Sequence, residues 1–143
     1  MIKLIALGTL KSGPEFELMG DFQKRLTRPL QIIQIDGRKY KDAEGEGAAM
    51  LDHVKPQDFL ILLDECGKDL TSPEFSTLLN KNGWRVTFVI GGSYGVSGAI
   101  KARANYTLRL GALTWPHKLA RVMLIEQLYR AQQIESHHPY HHA

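Results

Sequence analysis

The sequence predicts an α/β domain built on a mostly parallel sheet. Three observations carry that prediction. Short runs rich in aliphatic residues alternate with segments of helical periodicity along the chain. Two of those runs, residues 59–63 and 86–90, are apolar almost without interruption, as strands buried on both faces of a parallel sheet are. A glycine-rich loop follows the second, at the carboxyl end of a strand, where sheets of this kind bind ligands.

The elements follow in order. Residues 2–7 (Ile-Lys-Leu-Ile-Ala-Leu) predict a first strand. Phe16, Met19, Gln23 and Leu26 recur at helical spacing, and Pro29 stops that helix. Residues 30–35 predict a second strand. Ala43, Gly47, Met50, Leu51 and Val54 form a helical stripe, weakened by Gly45 and Gly47. The third strand covers residues 59–63 and ends at Asp64. Ser72 as N-cap, Pro73 at the first helical position and Glu74 in the first turn predict a helix that buries Phe75, Leu78 and Leu79. Gly83 marks its end. A fourth strand at 86–90, a short helix at 100–104 and a last strand at 106–110 come next. The final helix starts near Thr114 and Pro116 and runs to about Ser136.

Length and composition bound the function. The 143 residues suit one domain, residues 1–143, with a self-sufficient core. No apolar run approaches the ~18 residues of a membrane span. The first residues lack the charged start and small-residue cleavage site of a secretory leader. A single cysteine, Cys66, excludes an internal disulfide and a cysteine-built zinc site, and a cytoplasmic protein is expected. The net charge of +3 is unevenly spread: residues 1–71 carry 10 Lys/Arg against 12 Asp/Glu, residues 72–143 carry 8 against 3. Two readings fit the second half: a face for a polyanion, or an ordinary solvated surface with a chance asymmetry. The last helix is apolar at Leu119, Val122, Met123, Leu124, Ile125, Leu128, Ala131 and Ile134, wider than the ~100° stripe of a surface helix. Either the helix is buried on two sides within one chain or it also packs against a partner; a small domain has few elements to cover a second face, which favours a homodimer.

Four groups of residues bear on chemistry. Gly91, Gly92, Gly95 and Gly98 permit tight turns and close backbone approach to a ligand. Their spacing is neither a dinucleotide fingerprint nor a phosphate loop, because Ser93 and Val96 stand where the former needs glycine. A second strand end, Leu110-Gly111-Ala112-Leu113-Thr114-Trp115-Pro116-His117, is apolar and suited to a flat heterocycle. A third, Leu62-Leu63-Asp64-Glu65-Cys66-Gly67, completes a nucleoside-type pocket if the strands are neighbours. The tail, residues 136–143, holds four of the six histidines. Its readings are a surface tail, a metal module, and a return of Tyr140 and His141 into a site. Arg103, Arg109, Lys118, Arg121 and Arg130 form a basic group that holds phosphates or pairs with Glu126 and Glu135.

The stretch from Thr114-Trp115-Pro116-His117 through Glu126-Gln127-Leu128-Tyr129-Arg130-Ala131 to Pro139-Tyr140-His141 resembles the C-terminal signature of the RlmH (YbeA-type) methyltransferases. Val89-Ile90-Gly91-Gly92-Ser93-Tyr94-Gly95 resembles their glycine loop, and the start of the chain is also similar. The resemblance implies a SPOUT-type parallel-sheet domain, five or six strands flanked by helices, with a C-terminal deep trefoil knot and a homodimeric assembly. It implies S-adenosylmethionine as methyl donor, held by Leu63, Gly91 and the run Leu110, Gly111, Ala112, Leu113, Thr114, Trp115, with Gly92 beside them. It implies methylation of N3 of a pseudouridine, position 1915 of 23S rRNA, within the assembled ribosome. No metal is expected, because the sulfonium donor is already electrophilic. Two features differ from the family pattern: a compact segment between Ile35 and Leu51, and an ending in His141-His142-Ala143 without a basic residue.

Under this reading His141 is the candidate base for the N3 proton, with Tyr140 positioning the ring. Arg121 or Arg130 would stabilise the imide anion. Arg130, His117 and His142 are the candidate RNA contacts. Methylation of tRNA, or ribosome binding without catalysis, are the competing expectations.

Overall fold

The computed structural model describes residues 1–92 and 95–142; Ser93 and Tyr94 of the glycine loop and the terminal Ala143 lie outside the described residues. Among the described residues the strands are β1 (Ile2–Leu7), β2 (Leu30–Ile35), β3 (Phe59–Lys68), β4 (Val86–Ile90) and β5 (Tyr106–Leu108). They form one sheet in the order β2-β1-β4-β3-β5, and every pairing is parallel.

Strand alternation sorts the apolar residues into two layers. Ile2 and Leu4 of β1, Ile61 and Leu63 of β3, and Val86, Phe88 and Ile90 of β4 face one side. Met19 of α1 (Pro14–Arg25), Phe75 of α3 (Ser72–Lys81) and Leu124 of α5 (His117–Glu135) cover them. Ile5, Leu7, Leu60, Leu62 and Val89 face the other side, under Met50 of α2 (Ala43–Leu51) and Ile100 of α4 (Gly98–Arg103). The central strands are thus buried on both faces, which is why their runs read as continuously apolar. The broad apolar surface of α5 has the same cause, since it packs against α1 and α3 at once.

Local chemistry moves several boundaries. The N-cap of α3 is Thr71, not Ser72. Glu74 stands three residues after Thr71, and the two close a reciprocal capping box: Thr71 Oγ1 accepts from Glu74 N at 3.2 Å, and Glu74 Oε1 accepts from Thr71 N at 2.8 Å. Ser72 could not do this, because the third residue after it is Phe75. Its hydroxyl instead donates to Gln127 Oε1 at 2.7 Å and ties α3 to α5. The last strand stops at Leu108 and the last helix starts at His117, so the segment between them is longer than expected.

β3 continues to Lys68, five residues past its apolar run, through an irregularity in its pairing with β5. Gly67 permits that pairing. A Cβ there would sit 2.6–2.8 Å from backbone atoms of Leu108 and Arg109. Gly67→Ala is therefore expected to push β5 outward and to cost about 1–3 kcal/mol. Urea unfolding of the two proteins measures it.

Candidate active site

The parallel sheet gathers the carboxyl ends of all its strands on one side. Residues 109–116 leave the edge strand β5 there and cross the ends of β3 and β4. They deliver His117 to the end of β1, where a Cβ on Gly8 would stand 3.2 Å from His117 Cε1. A cleft of about 580 Å³ lies under this crossing. Leu63, Gly91, Gly92, Leu110, Gly111, Leu113, Thr114 and Trp115 line it; Ala112 sits in the same loop without lining it. The structure thus brings the three expected strand ends together around one space.

The loop is braced for this. Trp115 Nε1 donates to Leu110 O at 2.7 Å and closes the loop into a ring, while Gly111 takes φ +90, which favours glycine. On the opposite wall a Cβ on Gly91 would meet Gly95 O and Val96 Cγ2 at 3.1 Å, so glycine lets residues 95 and 96 pack closely against the end of β4. Asp64 and Glu65 add two carboxylates to the lining.

Arg121 does not point into the cleft. It is 1% exposed, and its Nη2 donates to Leu7 O at 2.7 Å and Gly8 O at 2.8 Å. Its Nη1 donates to Gln34 Oε1 at 2.9 Å, an oxygen that also accepts from Leu10 N at 2.6 Å. One guanidinium thereby clamps the ends of β1 and β2 to α5. Among the described residues no carboxylate pairs with it, and burial lowers its pKa from the usual arginine range.

His117 lies between this clamp and the cleft. Burial first, then the cations of Arg121 and Lys118, push its imidazole below 6.5, and its buried Nδ1 has no partner. The neutral ring is the one the fold accepts. Stability from this group is complete above about pH 6.5 and is lost as the pH falls through the lower folded value. His117→Asn is expected to flatten that slope, read from denaturation midpoints at pH 5 and pH 8.

The tail forms a separate cluster. Tyr140 O–H donates to Glu126 Oε2 at 2.7 Å, and Arg130 Nη2 donates to the same oxygen at 2.8 Å. Tyr140 stacks edge-on against Tyr129, with ring centroids 4.8 Å apart, and the Arg130 guanidinium lies 4.8 Å from the Tyr140 centroid. Burial, then the Glu126 carboxylate, holds the Tyr140 phenol above its ordinary pKa of 10, so it is a donor and not a base near neutrality. Arg130 Nη1 stands 3.2 Å from His141 Nδ1. A guanidinium only donates, so Nδ1 accepts and the neutral ring carries its hydrogen on Nε2. His142 is exposed.

This cluster and the cleft are at opposite ends of α5. Thirteen residues separate His117 from Arg130, about 20 Å at helical rise. The expected site residues therefore fall into two groups that one chain does not bring together: the strand-end loops with His117, and Tyr140, His141 and Arg130. The basic group is also largely committed. Arg109 pairs with Asp69 at 2.6 Å, and Arg103 donates to Lys55 O at 2.9 Å and Asp58 O at 2.8 Å. Glu46 escaped the sequence reading, although its place one turn before Met50, on an otherwise apolar face, was the signal.

A crevice at the carboxyl ends of parallel strands, roofed by a loop that returns across the sheet, defines a class of protein. The family model described as "Predicted SPOUT methyltransferase" matches residues 1–141, and the chain belongs to that family. Two curated relatives carry the name ribosomal RNA large subunit methyltransferase H. The protein of Roseobacter denitrificans is 41% identical over 155 aligned residues, covering 98% of this chain and 97% of the relative. That of Desulfitobacterium hafniense is 39% identical over 160, covering 98% of each. Among solved structures, a probable methylase family protein from Haemophilus influenzae superposes with a TM-score of 0.60 at 14% identity, over 99% of this chain and 70% of that one. The SpoU methyltransferase AviRb from Streptomyces viridochromogenes gives 0.54 at 13% identity. The chain spans 61% of the AviRb chain and 96% of its own length in that match. The likeness to these structures concerns the fold.

Proposed function

We propose that this chain transfers the methyl group of S-adenosylmethionine to N3 of a pseudouridine in large-subunit rRNA, position 1915 of 23S rRNA in the assembled ribosome. The observation that carries the reading is the cleft under residues 109–116. Its volume is that of a nucleoside-sized site. Gly91 and Gly92 form one wall without side chains, and the loop that Trp115 closes on Leu110 O forms the other. Asp64 and Glu65 supply negative charge that suits a sulfonium cation. Bound there, S-adenosylmethionine supplies an electrophilic methyl carbon. The lone pair of N3 takes that carbon as the carbon–sulfur bond breaks, its electrons staying on sulfur, and the N3 proton passes to a base. What the protein adds is mainly alignment, worth roughly 7–11 kcal/mol for well-oriented groups.

His141 is the proposed base, acting at Nδ1 once Arg130 releases it, and the freed guanidinium of Arg130 then stands beside the developing imide anion. Arg121 takes a positioning role. Because His141 and the cleft of one chain lie about 20 Å apart along α5, we assign the working form as a homodimer in which each tail serves the partner's cleft. Exposed Phe16 and Leu18 on α1, exposed Leu119 on α5, and an apolar groove of about 460 Å³ beside Leu18, Phe75 and Met123 supply the surface for a second copy. Among the described residues no helix is long and apolar enough to cross a membrane, and we place the reaction in the cytoplasm with the ribosome.

The test is transfer of radiolabel from S-adenosylmethionine to ribosomes that lack the modification, with free large subunits and tRNA in parallel. Label in large-subunit rRNA of ribosomes alone is the expected result. Label in tRNA overturns the target. Donor binding with no transfer to any RNA overturns the substrate, and absence of donor binding overturns the enzyme. Light scattering at micromolar concentration is expected to give twice the chain mass.

A further inference from the structure

A second polar cleft adjoins the donor cleft. It opens between the residues that follow β1, the turn at Asp36–Arg38, α2 and the start of α5. Gly92 and His117 line both clefts, so the two spaces are neighbours. A Cβ on Gly92 would run into Leu7 Cδ2, and one on Gly37 would stand 3.4 Å from that same atom. That position on Gly37 is 3.5 Å from Glu46 Oε2. Gly92, Leu7, Gly37 and Glu46 thus form one continuous wall.

Glu46 is the unusual member. It is 4% exposed, its Oε1 is wholly buried, and no group of the described chain hydrogen-bonds to that oxygen. Native proteins pair nearly all such atoms, because an unmade buried hydrogen bond costs free energy. His117 lines the same cleft, and its Nδ1 is buried beneath the surface without a partner among the described residues. Burial, and secondarily the charge of Asp42, raises the Glu46 pKa above the ordinary glutamate value. Glu46 lines this polar cleft beside the donor site, and no group of the described residues hydrogen-bonds to its carboxyl, which suits a ligand that offers an N–H. Exposed Lys11 and Lys118 border the cleft and suit the phosphates that flank a nucleotide.

We propose that this cleft receives the acceptor base and that Glu46 reads the N1–H of pseudouridine. The proposal rests on the functional reading above. With N3 turned toward Gly92 and the donor, the ring edge that reaches Glu46 carries N1–H and the adjacent carbonyl. In pseudouridine the ribose is attached through carbon, so N1 keeps its hydrogen. In uridine the atom at that place is a C–H, which cannot satisfy a carboxyl oxygen. A site that holds a buried acceptor for an N–H rejects an analogue lacking it, because the acceptor is then left unpaired. Glu46 is on this account a specificity residue: it selects a uracil ring that has already been isomerised.

The test compares methyl transfer to ribosomes carrying pseudouridine or uridine at the target position. Wild-type protein is expected to prefer pseudouridine. Glu46→Leu, or Glu46→Met where leucine fails to fold, is expected to reduce that preference at least about tenfold by losing rate on pseudouridine alone. Glu46→Gln keeps an oxygen acceptor and is expected to keep most of the preference. Titration with S-adenosylmethionine should give unchanged affinity in each variant. Equal loss on both ribosomes, an apolar variant that retains the preference, or wild type without preference overturns the role of Glu46. Wild type that methylates neither ribosome overturns the functional reading itself, and donor titration tells the two failures apart.

Discussion

Arg121→Ala is expected to lower stability by about 3 kcal/mol, to drop the melting midpoint by roughly 10 °C and to abolish donor binding. The buried guanidinium makes three hydrogen bonds, to Leu7 O, Gly8 O and Gln34 Oε1. Alanine leaves Leu7 O and Gly8 O without that donor at the closed end of the sheet. Each buried unsatisfied acceptor costs on the order of 1–3 kcal/mol, and the emptied side-chain volume adds a cavity cost. Relief of the buried charge offsets part of this sum. The same residue fixes His117 and the start of α5, and so the far end of the loop over the donor cleft. The alternative is that Arg121 acts directly on the imide anion. It predicts a normally folded Arg121→Ala protein with intact donor affinity and a lower kcat. Thermal unfolding together with titration of S-adenosylmethionine separates the two. Arg121→Lys is expected to fall between them, since one ammonium cannot span the two carbonyls at the end of β1 and Gln34 on β2.

Arg121 also shows what a sequence yields and what it withholds. The strands were legible because parallel strands buried on both faces must be apolar throughout, and those of β1 and β4 match the expected runs residue for residue. The three strand-end loops were legible because glycine and apolar clusters mark close backbone approach. Which of them meet is a property of strand order, and the order β1-β4-β3 places the ends of residues 63 and 91 side by side. The fate of each arginine was not legible. Arg121, Arg109 and Arg130 look alike in the chain, yet one is buried on carbonyls, one pairs with Asp69 and one with Glu126. Their partners lie 4 to 114 residues away. Glu46 was missed for a related reason: an acid in a charged, glycine-rich segment reads as solvated until the fold shows Leu7 and Gly37 closing over it. The cap of α3 was misplaced by one residue because Ser72 and Thr71 are both good caps, and only the geometry of Glu74 chooses between them.

His141→Ala is expected to lower methyl transfer by about 10²–10⁴ while leaving donor affinity and melting temperature unchanged. The tail is held by the Tyr140–Glu126 bond, the Tyr129 contact and Arg130, none of which needs the imidazole. A loss in kcat alone would fit a base, but a tail that merely grips RNA would also lose activity, through KM. The arrangement of the two clusters allows a sharper experiment. Gly91→Val crowds Gly95 and Val96, which line the proposed donor cleft and where even a Cβ meets Val96 Cγ2 at 3.1 Å, and is expected to abolish donor binding. Each single variant is then inactive as a homodimer. Mixing them by unfolding and refolding gives heterodimers in half the population. If each tail serves the partner's cleft, every heterodimer holds one complete site: the open cleft of the His141→Ala protomer and the intact tail of the Gly91→Val protomer. The mixture should recover about a quarter of wild-type activity, set by that half population carrying one of two sites. If tail and cleft act within one chain, each heterodimer has no complete site and the mixture stays inactive. The 20 Å that α5 sets between His117 and Arg130 favours recovery, since a cis site would require the tail to leave Glu126 and Tyr129 and travel the length of the helix.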